Sequence, residues 1–434
     1  MEFVRKLREL EAKGTPISVG IIGCGQMGSG LAHTLKHVVG MRASAIADID
    51  TQRGIKVFSE MGFERDSIVV TNKKSEAEDA IKRGKPFVTE NALLLTELDG
   101  INANVEATGV PDIGAQVAYD SIEHKKPIIM LNAETDVTVG YILDDIARKS
   151  GSIYTVASGD EPGVCKTIFE QASLMGFEVV TLGKGKNNPV NFEAVPEMLE
   201  EEARSKGMNP KMLTAFVDGT KTMVEMAAVS NATGLIPDVP GMHGSKVEIA
   251  DLAKVFIPSK DGGIFKDKGR VDYSTGKVAP GIFAIVYTDD KRIVKEMKFL
   301  TKWNGPYYLQ LRPYHLCDLE TPQSIAEAVL FNEVTITAED MYSDVVCVSK
   351  RNIKAGEILE GIGGHDWHGF IMTYKESRSR QALPMGLGKG AKVVRDIKKG
   401  EVITEQDVII DDASFVSRLR KLQEVLIEKR AKKG

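Results

Sequence analysis

The residues whose types suit chemistry fall into short clusters along the chain. Gly183-Lys-Gly-Lys-Asn-Asn-Pro189 sets Lys184 and Lys186 between glycines and beside Asn187, two ammonium groups that suit an anionic phosphate or carboxylate. Without a ligand, the same run reads as an exposed basic loop. Asp218-Gly-Thr-Lys221 opens a helical stretch running to Val229. Reduction of a carbonyl leaves an alkoxide, and an ammonium at Lys221, oriented by Asp218, would stabilise or protonate it. The plainer alternative is a helix cap at Asp218 and a surface lysine, although a cation in a first turn opposes the helix dipole. Arg312-Pro-Tyr-His315 joins a cation, a phenol and an imidazole after a strand-like run, which suggests the edge of a site with Arg312 and His315 as substrate ligands. His365-Asp-Trp-His368 brings two histidines close but offers no third matching ligand, so a polar turn is favoured over a metal site. Asn132-Ala-Glu134 and Ser158-Gly-Asp-Glu-Pro-Gly163 add carboxylates. A divalent cation on Glu134, Asp160 and Glu161 is compatible with their chemistry but not specified by their spacing.

The sharpest pattern lies nearer the N-terminus. Gly23-Cys-Gly-Gln-Met-Gly28 follows the apolar run ISVGII and precedes an apolar-periodic helix, the context in which this spacing marks a dinucleotide site. Gly23 allows the tight turn, Gly25 admits a pyrophosphate to the backbone, and Gly28 lets the helix pack close to the strand, with Gln26 and Met27 at its N-terminus. Asp48, twenty residues after Gly28 at the end of the next strand, can accept from ribose hydroxyls and favours NAD; as a plain residue it would be a helix cap. Arg53 in the same loop can grip a 2′-phosphate, which keeps NADP open. Thr108, Gly109 and Asn132, at the ends of later strands, complete the expected cofactor set, with Glu134, a candidate catalytic residue, in reach of substrate or the nicotinamide amide.

These residues need a scaffold. After an amphipathic helix over residues 1–16, the runs ISVGII, ASAIAD, SIVV, ANVEAT, PIIMLN and IYTVAS alternate with helix-length segments, the pattern of a doubly wound α/β domain with a parallel sheet. This Rossmann-type domain is assigned residues 1–158, followed by an α+β substrate domain over 159–343. Residues 344–413 read as a small β-rich domain, because Arg351-Asn-Ile-Lys-Ala-Gly-Glu-Ile is echoed by Arg395-Asp-Ile-Lys-Lys-Gly-Glu-Val, which implies pseudo-twofold character. Residues 414–434 read as a solvated terminal helix. With 434 residues, 42% hydrophobic and 27% charged, the chain is long enough for two or three cores. A net charge of −5 disfavours nucleic acid as a partner. No run approaches the roughly 20 apolar residues of a membrane span, and the N-terminus lacks a signal-peptide pattern, so a cytoplasmic protein is expected. The four cysteines, Cys24, Cys165, Cys317 and Cys347, have no paired spacing and read as buried or free thiols.

Taken together, VEATG with PIIMLNAETD, SGDEPG, GKGKNNP, MVEMAAVSNATG, RPYHL and the repeated tail resemble the homoserine dehydrogenase-like oxidoreductases with a C-terminal SAF domain. Within these, the chain looks most like the deoxyxylulose 5-phosphate reductoisomerase-like (DRL) branch. The resemblance implies a β-clip fold for the tail and puts Lys221 in the place of a catalytic lysine. Asp218, three residues before that lysine, and the GKGKNNP run depart from the homoserine dehydrogenase pattern. The expected activity is an NAD(P)-dependent oxidoreductase or reductoisomerase, acting on a small polyhydroxylated or phosphorylated carbonyl such as 1-deoxy-D-xylulose 5-phosphate. Lys221 would be the acid/base, Asp218 its orienter, and Lys184, Lys186 and Arg312 the anion holders. Alternatives are a dehydrogenase of a sugar-derived alcohol or homoserine-like substrate, and a non-catalytic NAD(P) sensor. A homo-oligomer is expected from the apolar strands of the middle region.

Overall fold

The computed structural model describes residues 2–432, and the chain forms two compact units. Unit 1 holds residues up to 160, 316–337 and those from 413 on; unit 2 holds 161–315 and 338–412.

Unit 1 is built on β1 (Ile17–Ile22), β2 (Met41–Ala47), β3 (Val69–Val70), β4 (Phe87–Thr89), β5 (Ala103–Glu106), β6 (Ile128–Met130) and β7 (Tyr154–Val156). They form one sheet in the order β3-β4-β2-β1-β5-β6-β7, parallel throughout. Val19, Ile21, Ile46, Val105 and Ile129 are fully buried, as strands covered on both faces require. Because β1 lies between β2 and β5, the winding reverses there, and the crevice beyond the carboxyl ends of these strands is where such sheets take ligands. Each strand expected from the sequence is present; β4 was not expected.

The C-terminal helix, Phe415–Ala431, differs from the solvated helix expected of its charged sequence. It buries Val416, Leu419, Arg420 and Gln423 against unit 1. The backbone at Asp136–Gly140 takes a π-helical turn, and the carbonyl of Thr138 receives the Arg420 guanidinium at 3.2 Å and the Gln423 amide at 3.1 Å. The charged face that looked solvated thus supplies donors to an irregular carbonyl.

Unit 2 carries a mixed five-stranded sheet of β8 (Glu178–Gly185), β9 (Ile236–Pro237), β10 (Arg270–Ser274), β11 (Ile282–Tyr287) and β12 (Tyr307–Arg312), in the order β12-β11-β8-β10-β9. The helices Glu161–Leu174 and Thr220–Thr233 pack on it. Here the exposed-loop reading of the lysine run fails. Lys184 lies within β8, and both Lys184 and Lys186 are buried. Strand alternation sends the glycines one way and the lysines the other. A Cβ on Gly183 would meet the Phe283 ring at 2.4 Å and one on Gly185 the Ala279 nitrogen at 2.1 Å. Only glycine fits that crowded side.

In the tail, β13 (Ser343–Ser349) pairs antiparallel with β14 (Trp367–Thr373). The internal repeat forms matching turns. Arg351 bonds Glu357 as Arg395 bonds Glu401, and Gly356 and Gly400 sit at φ +95° and +81°. Ile353 and Ile397 exchange both backbone bonds at 2.9 Å, so a local pseudo-twofold axis passes between them. No helix among the described residues is long and apolar enough to cross a membrane.

Candidate functional site

The glycine turn of unit 1 has the three properties its spacing demands. Gly23 sits at φ +91°, and a Cβ there would press on Ala107 at 2.8 Å. A Cβ on Gly28 would lie 1.9 Å from the Gly23 carbonyl, so the helix Gln26–Leu35 can approach β1 only with glycine at that position. Gly25 differs from both: it is exposed, precedes the helix, and a Cβ there would meet nothing within 4 Å. Its methylene faces an open cradle at a helix N-terminus, where a pyrophosphate fits. Gln26 is exposed and Met27 half-buried beside it.

Asp48 is no helix cap, for Asp50 caps the helix Thr51–Glu60. Asp48 instead accepts the Cys24 amide at 2.7 Å and the Asp50 amide at 2.9 Å, which ties the glycine turn to the end of β2. Burial, with the Asp48 charge adding to it, pushes the Cys24 thiol up to about 12 and keeps it protonated. Arg53 is exposed and pairs with Asp50 at 3.5 Å. Thr108 donates its amide and hydroxyl to Glu106, at the end of β5, and Gly109 sits at φ +66°. Burial raises Glu106 to about 7, against these donors. Glu106 is not among the residues expected from the sequence, although an acid closing the strand-like run ANVE was the available signal. Asn132 is buried as the cap of the turn Ala133–Thr135, accepting the Thr135 amide at 3.1 Å and donating to the Val110 carbonyl at 3.4 Å. Glu134 is buried in that turn, and Asp160 accepts from the Cys317 thiol at 3.5 Å.

In unit 2, distant parts of the chain assemble one buried charged cluster. Lys184 donates to Glu161 at 2.5 Å and to Glu225. Burial draws the Lys184 ammonium's proton affinity down, but Glu161 and Glu225 overcome it and hold the group charged. The same burial, together with Glu161, pushes Glu225 above the usual carboxylate range. Glu225 Oε1 is buried and lacks a hydrogen-bond partner among the described residues. Lys221, half-buried in the first turn of its helix, lies one turn from Glu225 on the same face and its charge acts on that carboxylate. His315 approaches Glu161 through Nε2 at 3.3 Å while Nδ1 meets the Pro280 carbonyl at 2.9 Å. Lys186 bonds Asn188, and burial with the neighbouring Lys184 charge lowers its pKa to about 8. Arg312 stacks on Tyr314 at 4.6 Å. In register it lies opposite Ile282, which lies opposite Lys184, so Arg312 and Lys184 share a face two strands, or about 10 Å, apart. Asn187 is exposed beside this row.

Two expected partnerships take another form. Asp218 is fully buried and pairs with Lys350 at 2.7 Å, while its other oxygen accepts the Thr220 amide at 2.9 Å. Lys350 also donates to the carbonyls of Ala194 and Gly364, each at 2.8 Å. The two histidines of the tail diverge: His365 lies between Glu360 and Glu197, and His368 stacks on Phe192 at 4.4 Å. Phe192, Val348, Lys350, His368, Phe370 and Lys399 line a cavity of about 280 Å³.

A parallel sheet with a glycine turn at its switch point, and a unit that buries ammonium and carboxylate groups together, define an oxidoreductase on a Rossmann-type dinucleotide-binding fold. More specifically, residues 159–321 match the model of the oxidoreductase DRL catalytic domain. No curated protein matches the chain. Among solved structures, a probable dehydrogenase from Thermotoga maritima is 12% identical with a TM-score of 0.42, covering 75% of this chain and 91% of its own. Scyllo-inositol dehydrogenase from Lactobacillus casei, with bound NAD(H) and scyllo-inositol, is 11% identical with a TM-score of 0.38, covering 68% and 76%. DOX-P reductoisomerase in complex with magnesium is 15% identical with a TM-score of 0.40, covering 74% and 70%.

Proposed function

We propose that the protein is an NAD(P)-dependent oxidoreductase that interconverts an alcohol and a carbonyl on a small polyhydroxylated substrate, phosphorylated or carboxylated at one end. The observation carrying this reading is the buried group of Lys184, Glu161 and Glu225, bordered by the half-buried Lys221 and His315, with Glu225 Oε1 left as an acceptor. A desolvated acceptor without a partner is costly unless a donor arrives, and a substrate hydroxyl is such a donor. Lys221 supplies positive charge beside a developing alkoxide. Arg312 and Asn187 hold the anionic end. Lys184, expected as an anion holder, is instead the counterion that keeps two carboxylates close.

The glycine turn and Asp48 hold the dinucleotide, which supplies or accepts hydride when bound. Asp48 beside the Cys24 amide, with Arg53 occupied by Asp50, favours NAD. Glu161 and Glu225 share the Lys184 ammonium, so this pair suits an ammonium better than a dication. Reductoisomerisation of 1-deoxy-D-xylulose 5-phosphate is the special case in which rearrangement precedes reduction. The match to a catalytic domain sets the sensor reading aside. The SAF-like tail would close over substrate or mediate assembly. A homo-oligomer is part of the reading, with exposed Phe299, Leu300 and Trp303 as apolar surface for it.

The test is absorbance at 340 nm with both cofactors in both redox forms, against sugar phosphates, sugar acids, inositols and homoserine. Turnover of deoxyxylulose phosphate with a reduced cofactor would support the reductoisomerase case. Turnover of a polyol or sugar acid alone would support simple dehydrogenation. No turnover of any of them by protein that binds cofactor would sink the substrate class.

A further inference from the structure

Lys186 is buried, yet among the described residues its ammonium is supplied with acceptors only by Asn188, through the carbonyl at 3.0 Å and Oδ1 at 2.8 Å. An ammonium has three N–H donors, so one is left without an acceptor, whereas a neutral amine in the same place would have both of its N–H groups satisfied. Lys350, in the same unit, makes the contrast plain: it is equally buried and donates to two carbonyls, but has in addition the Asp218 carboxylate at 2.7 Å as a counterion. The charged groups acting on Lys186 are Lys184, two residues before it in β8, Glu225 from the helix Thr220–Thr233, and Asp218 from the turn before that helix. Lys184 opposes its charge, Glu225 is already bonded to Lys184, and Asp218 is ion-paired with Lys350.

We propose that Lys186 is the proton donor and acceptor of the reaction, and that its third N–H is the proton delivered. In the reducing direction the carbonyl carbon takes hydride from a reduced nicotinamide dinucleotide, and the π pair moves to oxygen. The Lys186 N–H bond then breaks, its electron pair stays on nitrogen, and an O–H bond forms. The amine left behind keeps both bonds to Asn188 and turns a lone pair toward the new hydroxyl, which makes it the base for oxidation. Lys221 stabilises the alkoxide without giving up a proton. A pKa of about 8 suits this exchange, because an acid or base works best when its pKa lies near the working pH.

The proposal rests on the oxidoreductase reading for its function but not for its titration, and the experiment separates the two. Lysine labelled with ¹³C at Cε is incorporated into the full chain, and the Lys186 resonance is assigned by its loss in Lys186→Arg and followed from pH 6 to 11. A midpoint near 8, about two pH units below an ordinary lysine, is expected; a midpoint with the surface lysines overturns the proposal. On whichever substrate turns over, log kcat for oxidation should rise with unit slope to a plateau near pH 8. In Lys186→Ala that limb should vanish, and small primary amines should restore turnover, while Lys221→Met slows the reaction but keeps the limb. A low midpoint with the limb unchanged in Lys186→Ala would refute the catalytic role and leave the oxidoreductase reading standing. If no substrate turns over although the midpoint is low, the substrate class fails and the catalytic role fails with it.

Discussion

Gly25→Ala isolates cofactor binding from folding. Gly25 has φ −77° and ψ −159°, a conformation open to alanine, and the added methyl would meet no atom within 4 Å, so the folded protein should lose less than about 0.5 kcal/mol. The same methyl would occupy the cradle that the pyrophosphate enters. Displacing the phosphates from the helix N-terminus forfeits at least one charge-assisted hydrogen bond, worth about 1.5–3 kcal/mol, which corresponds to roughly a 10- to 100-fold weaker Kd. Gly28→Ala is the counterpart. Its methyl would sit 1.9 Å from the Gly23 carbonyl, so helix and strand must part, costing about 1–3 kcal/mol of stability as well as affinity. Reduced-cofactor fluorescence titrations and thermal melts on both variants read the two effects separately. If Gly25→Ala bound cofactor as tightly as the unaltered protein, the assignment of this turn to the pyrophosphate would be wrong.

Lys184→Met should cost about 3–5 kcal/mol near neutral pH, because it strands Glu161 and Glu225 side by side in the interior, and adding Glu225→Gln should recover part of the loss; denaturant melts that show additive losses would contradict the shared counterion. Asp48→Asn keeps an acceptor for the Cys24 amide but removes the charge that repels a 2′-phosphate, so the ratio of NADP to NAD affinity should rise by about tenfold, as measured by isothermal titration; an unchanged ratio argues against a ribose role. His365 has its pKa raised, chiefly by its hydrogen bond to Glu197 and further by Glu360, with burial opposing. A raised folded-state value stabilises fully below the ordinary histidine pKa and loses that contribution as pH rises through the raised value. His365→Gln should therefore lower Tm more at pH 5.5 than at pH 8.5, and equal shifts at the two pH values would remove the histidine from the account.

The dinucleotide turn was legible in the sequence because its demands are local. Three glycines, a preceding apolar strand and an acid at the end of the next strand lie within some thirty residues, and each has a backbone reason to be where it is. The repeat around Ile353 and Ile397 was legible for the same reason, since turns that match in sequence adopt the same bonds. What each charged side chain does in unit 2 was not legible. Lys184 and Lys186 sit two residues apart in one motif, yet one is locked between two carboxylates and the other is left one acceptor short. Asp218 stands beside Lys221 in sequence but is claimed by Lys350, and the charged tail helix turns out to serve the carbonyl of Thr138. A local motif specifies backbone shape; the protonation and partner of a buried charge depend on which groups from remote segments share its desolvated surroundings, and only the tertiary structure brings those together.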